Sequence, residues 1–226
     1  MPKLLYHKDP YLREVTTEVE TSFEDDGKVF VVLRDCLFHP QGGGQKGDRG
    51  TLERDGLVVK VLDTVTPPLP SHRSPALVLD RKHPGLTAGK PVKAVLDWDH
   101  RYKQMRLHDT VHMHHCMMEK LLGRRIPFPA TSNLLDDGSA YNRYETKDVT
   151  EELAAKAAAE LHAAIAKGAP ITMRDDPEKP GFRWWSCLGY SIPCGGTHLR
   201  DIGEIGAVKV EFSQRKGKPK VLFTLA

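Results

Sequence analysis

QMRLHDTVHMHHCMMEKLL, residues 104–122, holds neither glycine nor proline and ends against Gly123. Its apolar side chains, Met105, Leu107, Val111, Met117, Met118, Leu121 and Leu122, recur at helical spacing. Residues three and four apart share one side of a 3.6-residue turn, so the stretch predicts an amphipathic helix stopped by glycine. Two of its histidines, His108 and His112, lie four apart and therefore project from one face about a turn from each other.

Towards the N-terminus the pattern changes period. Between residues 29 and 96, VFVVL, LVVKVL, ALVLD and PVKAVLD are short β-branched runs punctuated by Gly, Pro and Asp. They predict strands and turns with no helix among them. PPLPSHRSP, residues 67–75, reads as a proline-rich loop. Towards the C-terminus, Thr150 followed by Glu151 and Glu152 predicts a capped helix start with acidic residues at the positive end of the helix dipole. The alanine-rich run that follows continues to Gly168, a C-terminal stop. Residues 171–173, 184–187, 208–212 and 221–225 read as strands. The expected fold class is α+β: a small N-terminal β-barrel domain over residues 1–97, carrying a glycine-rich GGGQ loop, then an α+β domain over 98–226.

The bulk properties narrow the function classes. The 226 residues are 39% hydrophobic and 28% charged, a globular composition. The first residues lack the apolar core of a signal peptide, and no apolar run nears the ~18 residues of a membrane span. Four cysteines, Cys36, Cys116, Cys187 and Cys194, are too few and too irregular for a disulfide framework, which predicts a reduced cytoplasmic setting. The net charge is +3, below that of a dedicated nucleic-acid binder. Local clusters (Arg101, Lys103 and Arg106; Arg124 and Arg125; Arg215, Lys216, Lys218 and Lys220) suit either phosphate or a solvated surface.

His108 and His112 gain meaning from Cys194-Gly195-Gly196-Thr197-His198, a tight loop bearing two further soft donors. Together His108, His112, Cys194 and His198 form a nitrogen and thiolate set that suits Zn²⁺ better than calcium or magnesium. His115, Cys116 and Cys187 are rival donors by position. HDTVH differs from the metalloprotease HExxH, because Asp109 is a methylene shorter than Glu and the third ligand there is not part of CxxxH. Four protein ligands describe a closed structural zinc, whereas catalytic zinc keeps an open position; the sequence leaves both open.

The segment HPQGGGQKGDRG, residues 39–50, satisfies GxGxxG literally, but β structure follows it, which argues against a dinucleotide loop. Its glycines permit close backbone approach, and Gln45 has an amide to offer to RNA or an ester.

These motifs resemble the freestanding alanyl-tRNA editing proteins of the AlaX type, in turn similar to the editing domain of alanyl-tRNA synthetase. The likeness runs through LLYHKDPYLREV, FHPQGGGQKGDRG, RLHDTVH and PCGGTHLRDIGEIGAVKV. It implies a β-barrel followed by an editing domain with zinc in a cleft. It also implies hydrolysis of the ester between serine, sometimes glycine, and the 3′ end of alanine tRNA, without ATP or a membrane. Under it, His108, His112 and Cys194 with Gln45 are the catalytic group, and Gln45 contacts the substrate or the terminal adenosine. Cys36 and Asp109 depart from the family pattern and are expected, with Gly43, Gly44 and Thr197, at the amino-acid pocket. The rivals are removal of serine from threonine tRNA, an RNA-binding module with structural zinc, and a small-molecule metal hydrolase.

Overall fold

The structure, a computed structural model, describes residues 3–67 and 74–226. Six residues of the PPLPSHRSP loop, 68–73, lie outside the described residues. The chain forms two units, one of Met1–Gly42 and Lys46–Tyr102, the other of Gly43–Gln45 and Lys103–Ala226. The protein is mixed α+β with a six-stranded barrel.

The first unit runs β1 (Lys3–Leu4), α1 (Leu5–Lys8), β2 (Glu14–Asp25), β3 (Lys28–Leu33), β4 (Asp35–Cys36), β5 (Gly50–Arg54), β6 (Leu57–Val65), β7 (Ala76–Leu79) and β8 (Pro91–Leu96). Strands close in the order β2-β3-β7-β6-β5-β8, each antiparallel to its neighbours. Closure removes the unpaired edges an open sheet would present. Two tight turns are written into the sequence as Asp-Gly pairs, Asp26-Gly27 and Asp55-Gly56, with all four residues at positive φ. That is the two-residue hairpin geometry whose twist matches the flanking strands. The longest strand, β2, is absent from the sequence reading although it alternates: Thr17 and Val19 are buried while Glu18 and Glu20 are less so. Its glutamates and threonines disguise a period of two that the barrel uses on one face only.

The barrel core gathers Val19, Val31, Leu33, Leu37, Phe38, Leu52, Val59, Leu77 and Ala94, and with them Cys36. Cys36 is fully buried and its thiol donates to the Phe38 carbonyl at 3.4 Å. Burial pushes that thiol up to about 12. The expectation that Cys36 borders an amino-acid pocket is therefore corrected: a small, weakly polar side chain has been used as core filling.

The glycine-rich segment is anchored to the barrel by its ends. The Asp48 carboxylate, fully buried, accepts from the Arg101 guanidinium and from the His39 amide. Arg101 also donates to the carbonyls of Pro10 and Leu37, both at 2.8 Å. A Cβ at Gly47 would stand 2.2 Å from the Thr64 carbonyl, so only glycine fits. The tip, Gly43–Gln45, groups with the second unit and not with the barrel residues on either side of it. There Gly44 accepts from the Leu134 amide at 2.9 Å.

The second unit is built on α2 (Trp98–Leu122), whose first residues belong to the barrel unit. It continues with β9 (Thr131–Leu134), β10 (Ser139–Arg143), α3 (Glu151–Lys167), β11 (Thr172–Asp175), β12 (Arg183–Cys187), β13 (Tyr190–Pro193), a 3-10 turn (Ile202–Ile205), β14 (Val208–Arg215) and β15 (Lys218–Leu225). One sheet has the order β14-β15-β10-β9 and the other β11-β12-β13. Thr150 caps α3 by accepting from the Leu153 amide at 3.2 Å, and Gly168 ends it at φ 71°. Strands β9, β10 and β13 were unread in the sequence. Asp137-Gly138 was the visible signal for β9 and β10.

No helix of the described residues is long and apolar enough to cross a membrane. The basic cluster 101–106 does not form as a charged surface. Arg101 is fully buried on Asp48, and Arg106 donates to the Ile205 carbonyl at 2.7 Å.

Candidate metal centre

Helix α2 presents His108 and His112 one turn apart, with ring centroids 4.6 Å from each other. The loop after β13 brings Cys194 and His198 to the same point. Cys194 Sγ lies 3.4 Å from His108 Nε2 and 3.2 Å from His198 Nε2. The four donor atoms all fall within 4.8 Å of one another, a group able to hold a metal ion. Nε2 of His112 is buried and has no hydrogen-bond partner among the described residues. A buried, unsatisfied ring nitrogen is costly, and an ion is a ready partner for it.

The rings are held in the tautomer a metal needs. Asp109, fully buried, accepts from His198 Nδ1 at 2.8 Å and from Trp185 Nε1 at 2.8 Å through one oxygen. Its other oxygen accepts from the Leu199 amide at 2.8 Å. With Nδ1 of His198 committed as donor, Nε2 keeps its lone pair for an ion. Gln45 does the same for His108: its Oε1 accepts from Nδ1 at 3.0 Å. That oxygen also accepts from the Thr197 amide at 3.1 Å, while Nε2 of Gln45 donates to Thr197 Oγ1 at 2.8 Å.

This corrects two expectations. Gln45 is fully buried, both ends of its amide are engaged inside the protein on His108 and Thr197, and it is absent from the cavity wall. Asp109 orients His198 from below and is absent from the cavity wall. Thr197, also buried, serves the same network.

Burial sets the protonation of the site. It lowers His198 to about 3 and holds His112 well below the ordinary imidazole value, with the neighbouring His108 and His198 adding to the latter. Neutral imidazoles are the ligating form. Burial also raises the Cys194 thiol to about 12 and the Asp109 carboxyl to about 7. A cation at the centre would favour the ionised form of both.

The glycines of CGGTH are unequal. A Cβ at Gly196 would sit 2.3 Å from His108 Cε1 and 2.7 Å from Gln45 Oε1, whereas Gly195 has open space around it. Close packing of the loop on the ring thus requires glycine at 196 alone. The rival donor His115 stays outside the four-residue group, its Nδ1 3.2 Å from the Tyr144 hydroxyl, and the neighbouring His114 donates through Nε2 to the Ala154 carbonyl at 3.1 Å. Cys116 and Cys187 are buried outside the group.

A cavity of about 280 Å³ opens beside the cluster, and His108 and His112 form part of its wall with Gly43, Val111, Ser132, Asn142 and Ile192. Gly44 is set against β9, where a Cβ would meet the Ser132 carbonyl at 2.1 Å. Of the residues expected at a pocket, Gly43 lines it, Gly44 supports it, Asp109 and Thr197 lie behind the ligands, and Cys36 belongs to the barrel core. Ser132, Asn142 and Phe128 line the cavity without having been singled out from the sequence, and His115, read there as a rival donor, lines it as well. Ser132 and Asn142 follow from the β9–β10 hairpin, so recognising the Asp137-Gly138 turn would have brought them forward.

Comparison with known proteins agrees with this arrangement. The family described as "Threonyl and Alanyl tRNA synthetase second additional domain" matches residues 186–222, which include Cys194 and His198. The alanyl-tRNA editing protein AlaX-M of Methanosarcina acetivorans is 31% identical over 253 residues, covering 100% of this chain and 99% of that protein. AlaX-L of Pyrococcus horikoshii is 27% identical, with 96% of this chain and 56% of its own length aligned. The alanine--tRNA ligase of Thermococcus kodakarensis is 28% identical, with 98% of this chain aligned to 25% of the ligase. These matches relate the chain to the editing-type domains of the synthetases, and it belongs to the alanyl-tRNA editing protein family.

Proposed function

We propose that the protein is a trans-editing hydrolase that removes serine wrongly esterified to the 3′ end of alanine tRNA, with Zn²⁺ held by His108, His112, Cys194 and His198. The observation that carries this reading is the position of His108 and His112, which belong both to the ligand group and to the cavity wall. A structural zinc in an RNA-binding module has no need of a cavity at its ligands. Three nitrogens and a sulfur are a zinc donor set. Tetrahedral zinc with bonds of about 2.0 and 2.3 Å spaces N and S donors about 3.5 Å apart, close to the 3.2 and 3.4 Å seen here. Bound zinc supplies Lewis-acid polarisation of a carbonyl or a water.

The protein's own residues do the positioning. Gln45 and Asp109 fix the two ligand rings, and Gly196 lets the loop close on His108. The cavity, at the lower end of the range for small-ligand pockets, suits one small aminoacyl group and part of its ribose. An aminoacyl ester is already activated, so orientation contributes much of the acceleration needed. Exposed basic side chains such as Lys216 near the β14–β15 turn are expected to meet tRNA phosphates.

The test is the rate of amino-acid release from Ser-tRNA(Ala), Ala-tRNA(Ala) and Ser-tRNA(Thr), with and without a chelator. Metal-dependent release of serine from alanine tRNA that spares alanine is the expected result. Release from threonine tRNA instead would move the substrate to the other branch of the matched domain class. Binding of tRNA without release from any of the three would leave a zinc-stabilised RNA binder.

A further inference from the structure

We infer that Ser132 is the acceptor that reads the side-chain hydroxyl of the amino acid to be removed, an assignment that rests on the editing function proposed above. Ser132 and Asn142 are cross-strand partners in the β9–β10 hairpin, and both line the cavity that His108 and His112 also line. Asn142 is almost fully buried. Its side-chain amide lies 3.2 Å from the Val111 carbonyl, and a carbonyl only accepts, so the group facing it is Nδ2. The same Nδ2 lies 3.3 Å from the Tyr144 hydroxyl. The amide is thereby oriented, and Oδ1 must face Ser132 Oγ, 2.8 Å away.

The consequence falls on Ser132. Amide oxygen Oδ1 only accepts, so the one hydroxyl proton of Ser132 is committed to Asn142. What Ser132 Oγ has left for a ligand is its lone pairs. A group bound beside it must therefore donate, as a seryl hydroxyl does and an alanyl methyl does not. Sites built to hydrogen-bond a substrate hydroxyl discriminate strongly against the analogue lacking it, whereas a simple apolar pocket separates near-isosteres weakly. The position is also rigid: the Ser132 carbonyl is packed against Gly44, where a Cβ would come within 2.1 Å, and Leu134 two residues on donates to the Gly44 carbonyl. Gly44 thus supports the pocket without facing it.

The experiment compares kcat/KM for release of serine and of glycine from the same alanine tRNA, with metal content measured on each variant. Ser132→Ala is expected to lower the seryl-to-glycyl ratio about tenfold to a hundredfold, the worth of one such hydrogen bond, while Ser132→Thr, which keeps the acceptor, holds the ratio near that of the native protein. Equal loss on both substrates places Ser132 on the shared α-amino group or in the scaffold, and overturns the assignment. Should Ser132→Ala fail to fold, Ser132→Cys replaces it as the weaker acceptor. A ratio that does not differ between Ser, Thr and Cys then overturns the assignment equally. Native protein that releases neither amino acid removes the editing reading and this inference with it.

Discussion

The two units each bury one fully inaccessible carboxylate, and the partners chosen for them differ. In the barrel unit Asp48 is met by the Arg101 guanidinium, so the charge is cancelled within a few ångströms. In the second unit Asp109 is met by an indole, a backbone amide and the His198 ring, which burial keeps neutral. All three donate, and none brings a formal positive charge. The first arrangement is complete in itself and serves to fasten a loop. The second brings no positive charge of its own, and the cation proposed beyond the imidazole would complete it, which is what would separate a working site from a structural joint.

The widest expected effect comes from the ligands themselves. Cys194→Ala or His198→Ala should take bound metal from about one equivalent to none, and slow serine release by about a thousandfold or more. Full activity in a metal-free variant would show that the second carboxylate serves no cation. The two carboxylates are then compared directly. Asp48→Asn leaves Arg101 buried without its counter-charge and should cost about 3–5 kcal/mol in stability while metal stoichiometry is kept. Asp109→Asn should weaken metal affinity about 10- to 100-fold with a smaller loss of stability, read by chelator competition and thermal melts. If both variants lose metal affinity alike, the contrast between joint and site fails.

Thiol chemistry sharpens the same contrast at lower amplitude. Cys36, Cys116 and Cys187 are buried with thiols held near 12, so alkylation of the native protein near pH 8 should be slow at all three. Cys194 shares the raised thiol but is the one partly exposed cysteine of the four, so after chelation it should be the first to react, counted by mass spectrometry; labelling of the barrel's Cys36 first would contradict its place in the core. The smallest effect belongs to the glycine pair. Gly196→Ala must push His108 and Gln45 aside and lower metal affinity, while Gly195→Ala, with open space around it, should fall within about 0.5 kcal/mol of the native protein.

The helices and the His/Cys group of four were legible in the sequence for a shared reason: their signals are local. Helices α2 and α3 announce themselves by period and caps, and HxxxH and CxxxH by spacing within one turn or one loop. Gln45 and Asp109 were misplaced because their roles depend on partners far along the chain: His108 and Thr197 for one, His198 and Leu199 for the other. A glutamine beside glycines reads as a presented amide until burial shows it turned inward. Strand β2 was missed because charged residues on its outer side obscured the alternation, and β9 and β10 because they are only four and five residues long and carry Asn and Ala, which strands disfavour. Cys36 shows the same limit, since nothing local separates a core cysteine from a pocket cysteine.

The contact between Gln45 and Thr197 joins residues 152 positions apart, and this sets an order of events in folding. Loop closure over such a span is entropically expensive and slow relative to local helix formation. Helix α2 offers two histidines as soon as it forms, but the other two donors and the Asp109–His198 bond arrive only with the last segments of the chain. During synthesis from the N-terminus, the growing protein therefore lacks the full donor set until most of the second unit has emerged. With the proposed zinc, metal loading would report on completed folding, and truncated or misfolded chains would be poor competitors for the ion.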